Sequence, residues 1–189
     1  MVTDEELIQS YKQGNMGAFE AFVHRYHSSL LGFLLRTVKD PTKAEDFTQE
    51  TFIRLMKQVK RDEVPKQIKP WMYRVALNLC RDYWRSSRYR SERYDLESIP
   101  DLTDTNSSVV EIYEKLEDRK QIIAALEQLS EDQRHIIILR FYQELKLQEI
   151  AEALEMPLST VKTNLYKGLK MLKSLLSKGK EGAIYEGKF

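Results

Sequence analysis

Residues 146–173 read KLQEIAEALEMPLSTVKTNLYKGLKMLK, and their spacing predicts two helices joined by a tight turn. Ile150, Ala151 and Leu154 supply a short apolar face, Met156 and Pro157 interrupt it, and Ser159 or Thr160 can cap the helix that follows. Val161, Leu165, Leu169, Leu172 and Leu176 then recur at helical spacing and mark the side that meets a core. Lys162, Thr163, Tyr166, Lys167, Lys170 and Lys173 fall largely on the other side, and no Asp or Glu occurs between Ser159 and Lys180. An acid-free cationic face opposite an apolar one suits the phosphate-lined major groove of duplex DNA. The same lysines would also serve as the solvated face of an ordinary bundle helix.

Upstream, the apolar residues keep the same helical period. Thr3 with Glu6 forms a capping-box pattern before Leu7, Ile8 and Tyr11. Asn15 is placed to cap a long helix carrying Phe19, Phe22, Val23, Tyr26, Leu30, Phe33, Leu34 and Val38, which Asp40 and Pro41 interrupt. Thr42 and Glu45 repeat the capping box ahead of Ala44, Phe47, Thr48, Phe52, Leu55, Met56 and Val59, with Glu45, Asp46, Gln49, Glu50 and Arg54 on the exposed side. A polar loop from Lys60 to Pro70 follows, then a helix from Trp71 to about Arg90. Residues 95–110 are acidic and turn-rich and read as a linker. Ile112, Leu116, Ile123, Leu126 and Leu129 restore helical spacing, and Ser130 with Gln133 caps the helix through Ile136 to Phe141. The glycines and scattered charges after Ser177 read as a frayed tail. With no strand-period segment, the expected fold is all-α: two small helical domains joined by an acidic linker, the second ending in a helix-turn-helix.

The segment WMYRVALNLCRDYWRSSRYRSERY, residues 71–94, holds both tryptophans and four of the ten tyrosines among six arginines. Aromatic faces stack on unpaired bases at roughly 1–3 kcal/mol per base, and arginines follow the phosphate backbone, so this mixture suits separated strands better than intact duplex. Asn78 can read a base edge by paired hydrogen bonds, or serve as a surface amide. Trp71, Val75, Leu79 and Trp84 lie near one face and can equally be core.

Composition narrows the class. Charged residues are 31% of the 189, yet the net charge is only +1 and the pI about 7.8, so a global charge argument for nucleic acid fails. Segregation carries the information: Arg81 to Arg93 holds five arginines against Asp82 and Glu92, while Asp95 to Asp118 holds eight acids against Lys115. The lone Cys80 excludes an internal disulfide framework and a zinc-finger ligand set, and no histidine stands near it to make a nucleophile. His24 and His27 are three apart, but nothing clearly completes a metal site, so no metal, cofactor or catalytic residue is expected. The acidic N-terminus and the lack of a long apolar run point to a soluble cytoplasmic protein.

The order of parts now becomes recognisable: a helical segment with AEDFTQETFIRL, then KPWMYRVALNLCRDYWR, an acidic stretch, then LSEDQRHIIILRFYQELKLQEIAEALEMPLSTVKTNLYKGLKML. It resembles the extracytoplasmic-function sigma factors, the small two-domain bacterial transcription initiation factors, from Gly14 to Lys173. The resemblance implies a domain over residues 1–94 that binds the polymerase clamp, on the beta-prime subunit, and melts the minus-ten element. It implies a linker over 95–111, a domain over 112–177 that holds the flap of beta and reads the minus-thirty-five element, and a tail over 178–189. Glu45, Asp46, Gln49, Glu50 and Phe52 match the clamp-binding helix. Trp71, Tyr73, Arg74 and Asn78, with the loop before them, match the part that captures a flipped base, and Arg81, Trp84 and Arg85 extend that minus-ten surface. Thr163, Tyr166 and Lys167 match positions facing the minus-thirty-five duplex, joined by Ser159, Thr160, Lys162 and Asn164. Family members commonly carry arginine where this chain has Asn164 and Lys167; lysine lacks arginine's planar fork for guanine, and asparagine favours adenine. Pro70 stands in place of a usual Ser or Thr. The resemblance further implies core polymerase and promoter DNA as partners, and an anti-sigma protein, often membrane-anchored, that can hold the chain at the inner face of the membrane.

Two other readings stand beside this one. A stand-alone helix-turn-helix regulator would bind duplex by itself, usually as a dimer on a two-fold site. An enzyme acting on nucleic acid would need acids or a metal site beside the aromatic helix, where only Asp82 is close in sequence.

Overall fold

The computed structural model describes residues 2–86 and 121–185, with side chains as far as Ser177. All regular structure among these residues is helical. Two compact units are distinguished, one built on the four N-terminal helices, with which Gln148–Met156 is grouped, and one containing the flanking C-terminal helices. The expected linker over 95–111 lies outside the described residues.

In the first unit, local sequence sets each helix end. α1 (Asp4–Lys12) opens on a complete capping box: the Glu6 N–H donates to Thr3 Oγ1 at 3.2 Å and the Thr3 N–H to Glu6 Oε2 at 2.7 Å. α2 (Met16–Val38) is capped by Asn15, whose Oδ1 accepts from the Ala18 N–H at 3.3 Å, and stops at Lys39 in the left-handed conformation, φ 58°. α3 (Pro41–Lys60) starts from Asp40, not from the expected Thr42 and Glu45. Asp40 Oδ1 accepts from the Lys43 N–H at 3.0 Å, and Pro41, whose missing N–H would be unpaired anyway, takes the first helical position. α4 (Ile68–Arg85) begins earlier than expected, with Pro70 inside its first turn, where no intrahelical N–H bond is lost.

The apolar stripes meet in one core. Phe22, Leu30, Phe33 and Leu34 of α2, Leu55 of α3, and Met72, Tyr73 and Leu77 of α4 are essentially solvent-free, each burial contributing about 1.5–3 kcal/mol. Buried hydroxyls are paired: Thr48 Oγ1 donates to the Ala44 carbonyl and Thr51 Oγ1 to the Phe47 carbonyl, both at 2.7 Å. α1 is fastened to α2 by Asp4, which accepts from Arg25 Nη1 and from the Tyr26 hydroxyl. Burial, then this hydrogen bond, raises the Tyr26 phenol above its ordinary range. α3 ends in a Schellman cap centred on Asp62, φ 63°: the Asp62 N–H donates to the Val59 carbonyl and the Glu63 N–H to the Gln58 carbonyl. Lys12 pairs with Asp62 and holds its carboxyl below the usual carboxylate range. The loop leaving α3 is thus fixed at its start.

In the second unit, residues 121–127 are helical and bury Ala125 and Leu126, followed by Leu129. α5 (Glu131–Phe141) carries the expected Ser130 and Gln133 capping box and buries His135, Ile136, Ile137, Ile138 and Leu139, a run too continuous for a surface helix. α6 (Leu147–Leu154), which from Gln148 on is grouped with the first unit, buries Ile150, Ala151, Ala153 and Leu154 and ends in a second Schellman cap: Glu155 has φ 55° and the Met156 N–H donates to the Ala151 carbonyl at 3.0 Å. α7 (Leu158–Tyr185) starts directly after Pro157, so Ser159 and Thr160 lie within its first turn and do not cap it. It also continues to Tyr185 through the stretch expected to fray.

α5 packs on α7 where Gly168 presents bare backbone. A Cβ on Gly168 would stand 2.8 Å from Ile137 Cδ1 and 3.3 Å from Gln133 Cβ. A longer side chain must part the two helices. Gly168→Leu is expected to destabilise this unit by about 1–3 kcal/mol, measured by denaturant unfolding against Lys170→Ala as an exposed control; equal midpoints would contradict the close approach.

Candidate nucleic-acid interfaces

A helix buries one face and offers the other, so the site residues sort by register. Beyond its first turn, which buries Ile68 and Pro70, α4 buries Met72, Tyr73, Val75, Ala76, Leu77 and Cys80. Trp71, Arg74, Asn78, Arg81 and Arg85 stand at spacings of three and four along the opposite side, half-buried or exposed. Arg81 Nη1 donates to Asn78 Oδ1 at 3.2 Å, which ties the amide to the cation one turn on. Trp84 is half-buried.

Tyr73 is a correction to the expected minus-ten set. Its ring has no exposed surface and meets Phe33 edge to face, centroids 5.2 Å apart at 84°. Burial pushes its phenol above the ordinary range. A ring so placed stacks on no base; it fixes the rotation of α4. Tyr83 is likewise engaged, edge-on to Phe47 at 5.8 Å with Lys43 Nζ 5.4 Å from its centroid. The expectation that Val75 is core holds, whereas Trp71 stays partly open.

On α3, Asp46 and Gln49 are exposed and Glu45 and Glu50 half-exposed. Gln49 Nε2 donates to Glu45 Oε1 at 3.4 Å, Arg54 Nε donates to Glu50 Oε1 at 2.8 Å, and His27 Nε2 of α2 stands 3.5 Å from Glu45 Oε1. Phe52 does not share this surface: it is 5% exposed and lies parallel to the His27 ring at 6.4 Å. It supports the acids from below. Ile53, 40% exposed, is the apolar member of the face that periodicity alone did not single out. Its signal was position, four residues after Gln49.

On α7, Val161, Leu165 and Gly168 face inward, while Ser159, Thr160, Lys162, Thr163, Lys167 and Lys170 are exposed and Asn164 half-exposed. Tyr166 is 70% exposed, an unusual degree for so large a ring. Thr163 Oγ1 donates to the Ser159 carbonyl at 2.9 Å. The first turn holds no acid, so its unpaired N–H groups and the positive end of the helix dipole add to the lysines in attracting phosphate. Among the described residues no three His, Cys, Asp or Glu side chains come together as a metal site, and no helix is long and apolar enough to cross a membrane.

Two parts of the chain match known families. Residues 22–90 match the family described as Sigma-70 region 2, and residues 119–172 match Sigma-70, region 4. The ECF RNA polymerase sigma factor SigX of Bacillus subtilis is 34% identical over 159 residues, covering 82% of this chain and 81% of SigX. SigW of the same organism is 28% identical, covering 89% and 94%. Among solved structures, the sigma factor RpoE of Bartonella quintana, crystallised with the anti-sigma factor NepR, aligns with a TM-score of 0.67 at 22% identity over 84% of this chain and 96% of that one, a likeness of fold.

Proposed function

The chain belongs to the sigma-70 family, as an RNA polymerase sigma factor of the extracytoplasmic-function type, and from that membership we propose how its faces divide the work. A sigma factor lends core polymerase the recognition of promoters and starts strand opening; the chemistry of RNA synthesis stays with the polymerase. We assign residues 1–94 to clamp binding and the minus-ten element, 95–111 to a linker, and 112–177 to flap binding and the minus-thirty-five element.

The observation that carries this division is the contrast between the exposed faces of α4 and α7. α4 alternates an indole, an amide and arginines, a combination that stacks on unpaired bases and tracks a single backbone. α7 offers lysines, hydroxyls and one open tyrosine behind an acid-free first turn, which suits the phosphates and base edges of intact duplex. One helix is fitted to melted DNA and the other to closed DNA. Core polymerase joins them by way of the α3 acids, whose partner must be basic. As RpoE of Bartonella quintana is seen with the anti-sigma factor NepR, an anti-sigma protein is the proposed regulator here. Where such a protein is membrane-anchored, it would keep this chain at the inner face.

Reversing Asp46 and Glu50 to lysine is expected to weaken binding to core polymerase by about tenfold or more, while folding stability changes by no more than about 0.5–1 kcal/mol, since exposed charges and one Arg54 pair within a helix contribute little. Titration against core polymerase reads the effect; unchanged affinity would remove α3 from the interface.

For α7, Lys170→Ala should weaken all promoters alike through a lost phosphate contact, whereas Asn164→Ala or Lys167→Ala should alter base preference in the upstream element by about 1–3 kcal/mol. Selection from a randomised upstream element separates the two effects. Identical preferences in wild type and both variants would mean these side chains read no bases.

A further inference from the structure

His27 of α2 and Glu45 of α3 meet at the edge of the acidic face assigned to core polymerase. His27 Nε2 stands 3.5 Å from Glu45 Oε1, with the two side chains 38% and 42% exposed. That separation lies just beyond the roughly 2.7–3.2 Å of an ordinary N–H···O bond, and the same carboxylate oxygen accepts from Gln49 Nε2 at 3.4 Å. The imidazole is set parallel to the buried ring of Phe52, 9° between planes and centroids 6.4 Å apart. It also lines an open cavity of about 400 Å³ with Glu20, Val23 and His24. Protons therefore reach it without unfolding.

A histidine changes charge between about pH 5 and 8, and here the change falls on a surface whose partner must be basic. Neutral, the imidazole leaves Glu45 its full charge. Protonated, it pairs with Glu45 and sets a cation beside the acids, so the carboxylate has less to offer an incoming lysine or arginine and like charges are brought together. We propose that His27 is a positioning residue that makes the polymerase-binding face pH-sensitive, core polymerase being held more tightly when the imidazole is neutral. This rests on the reading of the α3 acids as the clamp-binding face and adds to it a residue of α2 and a mode of regulation.

The charged groups of the neighbouring elements are engaged elsewhere. On α1, Asp4 binds Arg25 and the Tyr26 hydroxyl, Glu6 closes the Thr3 capping box and Lys12 pairs with Asp62. On α4, Tyr73 lies against Phe33. His24 and Glu20 share the cavity on α2, and Asp46 and Glu50 continue the α3 face, Glu50 holding Arg54. Glu45 is the carboxylate that His27 meets.

The test titrates the full chain against core polymerase at about pH 6 and about pH 8 and one fixed salt concentration, since salt screens exposed charges. Polymerase has titrating groups of its own, so the quantity read is the ratio of the two affinities in each variant relative to wild type. Wild type should bind about two- to fivefold more weakly at the lower pH, the size of one exposed ion pair. His27→Gln should lose that change and bind tightly at both, whereas His27→Lys, charged throughout, should bind weakly at both. His24→Gln should behave as wild type. Denaturant unfolding at both pH values checks that each variant is folded. Equal pH dependence in wild type and His27→Gln, tight binding by His27→Lys at the higher pH, or loss of the dependence in His24→Gln would overturn the role of His27. If reversing Asp46 and Glu50 to lysine leaves the affinity unchanged at the higher pH, the reading of α3 fails and the proposal with it.

Discussion

The edge of Tyr73 set against the ring of Phe33 decides what α4 can do. With centroids 5.2 Å apart and the tyrosine wholly buried, the helix has one permitted rotation about its axis. Turning it would drag a large aromatic into water and open a cavity in the core, at a cost of about 3–5 kcal/mol for the loss of such a ring. Every other position on α4 inherits its role from that choice. Trp71, Arg74, Asn78, Arg81 and Arg85 face outward because Met72, Tyr73, Ala76 and Cys80 face inward. A residue sealed in the core therefore sets which side chains of the helix face outward.

The same logic governs α7 by a different means. There the constraint is the absence of a side chain at Gly168, which lets α7 lie close to Ile137 and Gln133 of α5. Val161 and Leu165 turn inward with it, and the lysines, Asn164 and Tyr166 are left on the open side. The two helices thus present chemically different faces from the same principle, one fixed by a ring and the other by its lack. Asymmetry between the faces matters for a sigma factor, because the two promoter elements are met in different states, one melted and one intact.

Local signals were the most legible part of the chain. The capping boxes at Thr3 with Glu6 and Ser130 with Gln133 form as their spacing implies, since both partners lie within one turn and little else competes. Thr42 with Glu45 fails for the same local reason: Asp40 and Pro41 make a better start two residues earlier. Helical period located the stripes of α2, α3 and α7 but blurred α4, where aromatics occur on both sides and residue type does not say which ring is buried. Tyr73 was grouped with Trp71, though two residues on a helix stand nearly opposite each other; its neighbours in the core, Ala76, Leu77 and Cys80, held the signal. Phe52 falls in the buried stripe that the helical period marks, and only the family resemblance sets it beside the exposed acids.

A sigma factor selects promoters only as part of a polymerase. Run-off transcription on a library of genomic promoters, with the chain alone, core polymerase alone and both together, tests it most directly. Specific transcripts are expected only from the combination, each starting downstream of a shared two-part element. Specific binding of the chain alone to a two-fold symmetric duplex site, with no promoter-directed transcripts when core polymerase is added, would contradict it.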